Sequence, residues 1–206
     1  MEHPPEERKL SPSETFLWVI DQECRIHFVM HARVTGAIPE DVLHRALRAV
    51  QARHPMLRVR IEKKGWNRVS FRTGGVPELP LRVVNRPGPG WSEEAEQELH
   101  EPLPVQNGPL VRCTLVRHGT EDQTVLLAFH HAIGDAVSGS FLMRDLLRAA
   151  SLAAEGGPCE LPALAPKREA DGTGGRGRHG VRRGGVAAPG ANCRPGAGRS
   201  AGPWGT

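Results

Sequence analysis

Residues 125–129, Val-Leu-Leu-Ala-Phe, form an apolar run with no polar face to offer water. As a strand, such a run needs hydrogen-bonded neighbours on both edges and cover on both faces, so it belongs in the middle of a layered sheet. The run ends in His130 and His131, and Asp135 follows four residues after the second histidine. A histidine leaving a stiff core strand is held in place, and imidazole is the side chain best matched to proton transfer near neutral pH. On spacing alone, a histidine pair with a later carboxylate is equally a structural feature.

Neighbouring segments supply the layers. Ile26, Phe28, Met30, Ala32 and Val34 alternate with more polar positions, the period of a half-buried strand. After Gly36, Pro39 suits a first helical position, Glu40 and Asp41 favour the positive end of a helix dipole, and Val42, Leu43, Ala46, Leu47 and Val50 fall on one face. That helix stops before Pro55. Leu57, Val59 and Ile61, then Lys63-Lys64-Gly65 and residues 66–71, read as a hairpin. Leu81–Val84 is a short strand. Ser92 before Glu93 and Glu94 predicts a capped, polar surface helix. Residues 110–116 and 124–129 read as adjacent strands around a turn. Ser138 is expected to cap a last helix, with Phe141, Leu142, Leu146, Leu147 and Ala150 buried and Gly156-Gly157 ending it. The result is an α/β lobe with one mixed, largely antiparallel sheet covered by helices.

Charge divides the 206 residues unequally. The formal net charge is +4, but residues 166–206 hold 8 Lys and Arg against 2 Asp and Glu, leaving 19 against 21 in the rest. The body is therefore near neutral, which argues against a nucleic-acid-binding domain. No apolar span has the length of a signal peptide core or a membrane crossing, and a cytoplasmic protein is expected. Cys24, Cys113, Cys159 and Cys193 are scattered, with no Cys-x-x-Cys pair, so reduced thiols are expected.

The order of several short motifs carries a resemblance. Lys9-Leu10-Ser11-Pro12-Ser13-Glu14, Arg53-His54-Pro55 with Leu57-Arg58, Gly65-Trp66-Asn67, and His130-His131-x-x-x-Asp135 follow one another as in the condensation-domain and polyketide-associated acyltransferase superfamily. Residues 8 to 165 resemble the N-terminal half of such proteins, most nearly the phthiocerol dimycocerosyl transferase type, with the fold of chloramphenicol acetyltransferase. That resemblance implies lipid or polyketide biosynthesis and an enzyme moving an acyl group from a thioester to a hydroxyl or amine. It implies His131 as general base, Asp135 fixing loop and ring geometry, and His130 as a shaping residue. No bound cofactor is implied; acyl-CoA or an acyl-carrier-protein thioester is the co-substrate, and a carrier protein is a partner. The family usually has Gly after the aspartate, whereas Ala136 stands here. Because alanine reaches positive φ less cheaply, a displaced loop is expected.

Two rival readings of the histidines are weaker. Adjacent strand residues face opposite ways, so His130 and His131 do not readily share a metal ion, and no metal is expected. Ser138 lacks the Gly-x-Ser-x-Gly elbow of a nucleophile.

The superfamily's two-lobed build implies that this chain holds the first lobe, residues 1–165, followed by a tail, 166–206. The tail is rich in Gly, Arg, Ala and Pro, with Val181, Val186 and Trp204 almost its only large apolar residues, and is expected to be disordered. Its Gly174–Arg178 and Arg182–Gly185 runs have the form of an RGG-like nucleic-acid arm. A shifted reading frame in a GC-rich gene gives the same composition, and stacking aromatics are lacking. Beside a truncated acyltransferase stand a non-catalytic remnant or acyl-binding module and, less favoured, nucleic-acid binding through the tail. A lone lobe is expected to self-associate through exposed apolar surface.

Overall fold

The structure, a computed structural model, describes residues 7–65, 68–88, 90–159 and 161–164. Its elements in chain order are β1 (Glu7–Lys9), α1 (Pro12–Glu23), β2 (Phe28–Thr35), α2 (Glu40–Arg53), β3 (Val59–Lys64), β4 (Arg68–Thr73), β5 (Leu81–Asn85), α3 (Trp91–His100), β6 (Val111–Arg117), β7 (Asp122–Phe129) and α4 (Ala136–Ala154). The mixed α/β class holds. The single expected sheet is instead two: a three-stranded antiparallel sheet ordered β1-β4-β3, and a four-stranded sheet ordered β2-β7-β6-β5. The β3-β4 hairpin pairs with β1 and not with the strand that ends in the histidines. Residues 57 and 58 belong to a 3-10 turn, Pro55–Arg58, that precedes the hairpin.

β7 occupies the interior of the larger sheet, antiparallel to β2 along all eight residues and to β6 on its other edge, while β5 joins β6 in parallel. The apolar run is covered on both sides, as its composition demands. Val125, Leu127 and Phe129 sit in the main core with Leu43 and Leu47 of α2 and Leu146 of α4. The helix α2 keeps its apolar residues at helical spacing, so Val42, Leu43, Ala46, Leu47 and Val50 are all buried. Helix α4 approaches β2 so closely that a Cβ on Gly139 would lie 2.4 Å from Met30 Sδ and 3.3 Å from Phe28 Cε2. Glycine is the residue this contact admits.

Helix α3 differs from its expectation. It begins two residues earlier, its cap position is Gly90 without a side-chain bond, and Ser92 lies inside the first turn. Two of its carboxylates do not face water, Glu94 being 1% and Glu98 2% exposed, while Glu93 and Glu96 stay on the surface. Glu98 accepts from Thr114 Oγ1 at 2.6 Å, Arg82 at 2.8 Å, and Arg112. Glu94 pairs with Arg82 and Arg86 at 2.8 and 2.7 Å. Alternation alone does not reveal such a pairing, because the arginines come from β5, the residue that follows it, and β6. Burial would raise the Glu98 carboxyl, but Thr114 and the two arginines outweigh it and hold it below the usual carboxylate range.

Two further elements differ in detail. In α2, Pro39 takes the cap position and Glu40 the first helical one. In α4 the cap is Asp135 and not Ser138, and Phe141, expected inside, is 51% exposed. Gly156, at φ +74°, follows the end of α4 as the sequence suggests. No helix among the described residues is long and apolar enough to cross a membrane. Residues 166–206, with the expected disorder and the Arg-Gly runs, lie outside the described residues, as do Trp66 and Asn67.

Candidate active site

β7 delivers the two histidines, and a tight turn begins at the second. The His130 N–H donates to Leu110 O at 3.0 Å, and Ile133 N–H returns to His130 O at 3.1 Å, closing the 3-10 turn His131–Ile133. His130 is fully buried, and its Nδ1 accepts the Ala132 N–H at 3.1 Å. Its Nε2 lies 3.3 Å from Asp21 Oδ2. Burial lowers the His130 pKa; Asp21 pulls it up, and His27 and His131 push it further down. A neutral ring is the consequence. His131 is half-buried, its ring centroid 4.8 Å from that of Phe28 at a 51° tilt, and Phe28 in turn stacks on Phe129 at 5.1 Å. The pair is thus divided between a sealed ring and a reachable one.

Asp135 serves the loop. One carboxylate oxygen accepts from both the N–H and the hydroxyl of Ser138 at 2.8 Å, which caps α4. Those bonds, the backbone one foremost, hold the Asp135 carboxyl below its ordinary value. No hydrogen bond joins Asp135 to the His131 ring among the described residues; its carboxylate is bonded at the start of α4. Ala136 is the first residue of the helix, where positive φ is not required, so alanine is not strained there. Ser138 is occupied by Asp135 rather than poised as a nucleophile.

Sequence reading passes over two contributors to this region. Helix α1 packs against the His131–Ile133 turn and carries Asp21 into it. His27, also buried, bonds through Nε2 to Glu98 O at 2.9 Å. The signal for α1 is present in Ser11-x-x-Glu14, a capping box in which Glu14 N–H donates to Ser11 Oγ and Ser11 N–H to Glu14 Oε2. Nothing in the spacing signals Asp21, 109 residues ahead of His130. Among the described residues no cluster of three His, Cys, Asp or Glu is arranged to hold a metal ion. A groove of about 440 Å³ opens beside β3, lined by Trp18, Gln22, Ile61, Lys63 and Val105 among others, and takes no residue from 130–135.

This arrangement has known counterparts. Residues 18–167 match the family model of the condensation domain, and the chain belongs to that family. It is 29% identical over 167 residues to a linear gramicidin synthase component of Brevibacillus parabrevis, covering 75% of this chain and 2% of that protein. A plipastatin synthase component of Bacillus subtilis is 27% identical over 161 residues, covering 74% of this chain and 6% of the relative. A bassianolide nonribosomal cyclodepsipeptide synthetase of Beauveria bassiana is 28% identical over 160 residues, with 76% and 5% covered. Among solved structures, the X-domain from teicoplanin biosynthesis superposes with a TM-score of 0.70 at 22% identity, covering 81% of this chain and 37% of that one. The first condensation domain of the calcium-dependent antibiotic synthetase, with a substrate analogue, gives 0.68 at 20% identity, covering 78% and 41%. The chain thus spans a few per cent of its curated relatives and about two fifths of these solved chains. The relatives are peptide synthetases, a setting different from the lipid or polyketide one that the motifs suggest.

Proposed function

We propose that this chain carries the base-bearing lobe of a condensation-type acyltransferase, which joins an acyl group held as a thioester to an amine or hydroxyl acceptor. The observation that carries the reading is His131: a half-buried imidazole, fixed at the end of a core strand on Phe28, beside a histidine sealed in the interior. In the reaction, the acceptor nitrogen or oxygen attacks the thioester carbonyl while His131 takes its proton. The new C–N or C–O bond forms, the C–S bond breaks, and the thiolate leaves with the proton returned. A positioned base contributes about a hundred- to ten-thousand-fold in rate.

The named products of the relatives support both acceptors, since a depsipeptide contains esters as well as amides. The donor is an acyl thioester carried by CoA or by a carrier protein, the carrier protein then being a partner; no bound cofactor is needed by this chemistry. The test is thiol release from an acyl carrier protein, or from a small thioester mimic, on adding an amine or an alcohol to the purified chain. Turnover is expected, and His131→Ala is expected to abolish it; unchanged turnover in that variant removes His131 from its role.

A second reading, a non-catalytic acyl-binding module, is favoured by the chain's span of only about two fifths of the solved condensation domains. Thioester binding without consumption would establish it. The basic tail as a nucleic-acid arm is the least supported reading, and salt-sensitive RNA binding lost on removing residues 166–206 is its test.

A further inference from the structure

We infer that Asp21 is a positioning residue for the histidine pair: its carboxylate holds His130 with the ring proton on Nε2, leaving Nδ1 to accept the bond that fixes the His131 turn. The inference rests on the functional reading above, to which it adds the support behind the base.

The geometry limits where the proton can be. His130 Nδ1 accepts the Ala132 N–H at 3.1 Å, so that nitrogen presents a lone pair. A neutral ring then carries its hydrogen on Nε2, which has no aligned hydrogen bond and sits in the interior. The nearest charge to it is Asp21 Oδ2 at 3.3 Å, on a side chain 14% exposed. The other oxygen of Asp21 accepts the Ile26 N–H at 3.0 Å. Both groups facing this carboxylate are therefore donors.

That last fact makes asparagine a poor substitute despite equal size. An amide has one acceptor oxygen. If the oxygen keeps Ile26, the amide N–H₂ faces His130 Nε2 and favours a ring protonated on Nδ1, which sets two donors against each other at Ala132. If it keeps His130, the clash moves to Ile26. A carboxylate alone offers an acceptor to both, and it does so from α1, the helix packed on the turn that bears His131. Tautomer control of this kind by a carboxylate is a recurrent way of orienting a histidine, and at metal sites losing such a supporting group typically costs about 10- to 100-fold in affinity or activity.

The test uses the full 206-residue chain with ¹⁵N-labelled histidine. Long-range proton-nitrogen correlation, linked through bonds to the His130 backbone, is expected to show a protonated Nε2 and a bare Nδ1 near neutral pH. A proton on Nδ1 in the wild type overturns the inference. In Asp21→Asn the His130 signals are expected to shift toward the other tautomer, with kcat for thiol release about 10- to 100-fold lower and KM unchanged. An unchanged tautomer or an unchanged kcat in that variant overturns it. Should Asp21→Asn not fold, the wild-type spectrum decides by itself. Absence of thiol release from the wild type counts against the functional reading, whereas the tautomer comparison still decides the placement of the proton.

Discussion

At the scale of single residues, the partners that a buried charge finds decide its titration. Glu14 is buried, and burial by itself would raise its carboxyl, but two bonds from Arg8 at 2.9 and 3.0 Å and the Ser11 N–H at 2.8 Å bring it down to about 2. Since the folded value lies below the unfolded one, the stabilisation is complete above about pH 4.5 and is lost as pH falls through about 2. Urea unfolding between pH 6 and pH 2 is expected to show this loss, on the order of 3 kcal/mol, and Glu14→Gln should flatten the acid limb. Gly139 matters through its size. Gly139→Val would drive a side chain into Met30 and Phe28, and a destabilisation of about 1–3 kcal/mol is expected from overpacking. Because Phe28 underlies His131, thiol release should fall with it.

Between elements, α2 and α4 are joined by an apolar seam and one buried carboxylate. Asp145 accepts from Arg53 Nε at 2.8 Å and His54 Nε2 at 3.0 Å, with Arg144 at 2.9 Å. Burial lowers the His54 pKa, opposed by Asp145. Asp145→Ala leaves the Arg53 guanidinium without its buried partner, and a loss of about 3–5 kcal/mol is expected in chemical unfolding. Leu146→Ala, which empties a fully buried site between the same helices and the sheet, should cost about 2–5 kcal/mol. Helix α2 is legible in sequence because its burial follows one stripe. Helix α3 is not: its buried carboxylates look like a solvent face until Arg82, Arg86 and Arg112 are brought across from the sheet.

For the whole molecule, the described surface leaves apolar groups uncovered. Phe16 and Val137 are 63% exposed, Phe141 51% and Val19 49%, and β2 forms an edge of the larger sheet. An edge strand and exposed apolar side chains each invite pairing between copies. Light scattering is expected to show mass rising with concentration, and replacing Phe141 with Lys should reduce it. A monodisperse monomer at all concentrations would contradict this expectation.

The sequence by itself determined the layered α/β class, the interior place of β7, the amphipathic α2, the hairpin and the segment that presents His130 and His131. Those features follow from local periodicity, and a run apolar on both faces has few places to go. Only the tertiary structure decided that the strands divide into two sheets, that Asp135 caps α4 through Ser138, and that His130 rather than His131 is the sealed ring. It also decided that Asp21 lies beside that ring. Each of these depends on groups distant in sequence meeting as donor and acceptor or as opposite charges, and a periodic pattern carries no record of such meetings.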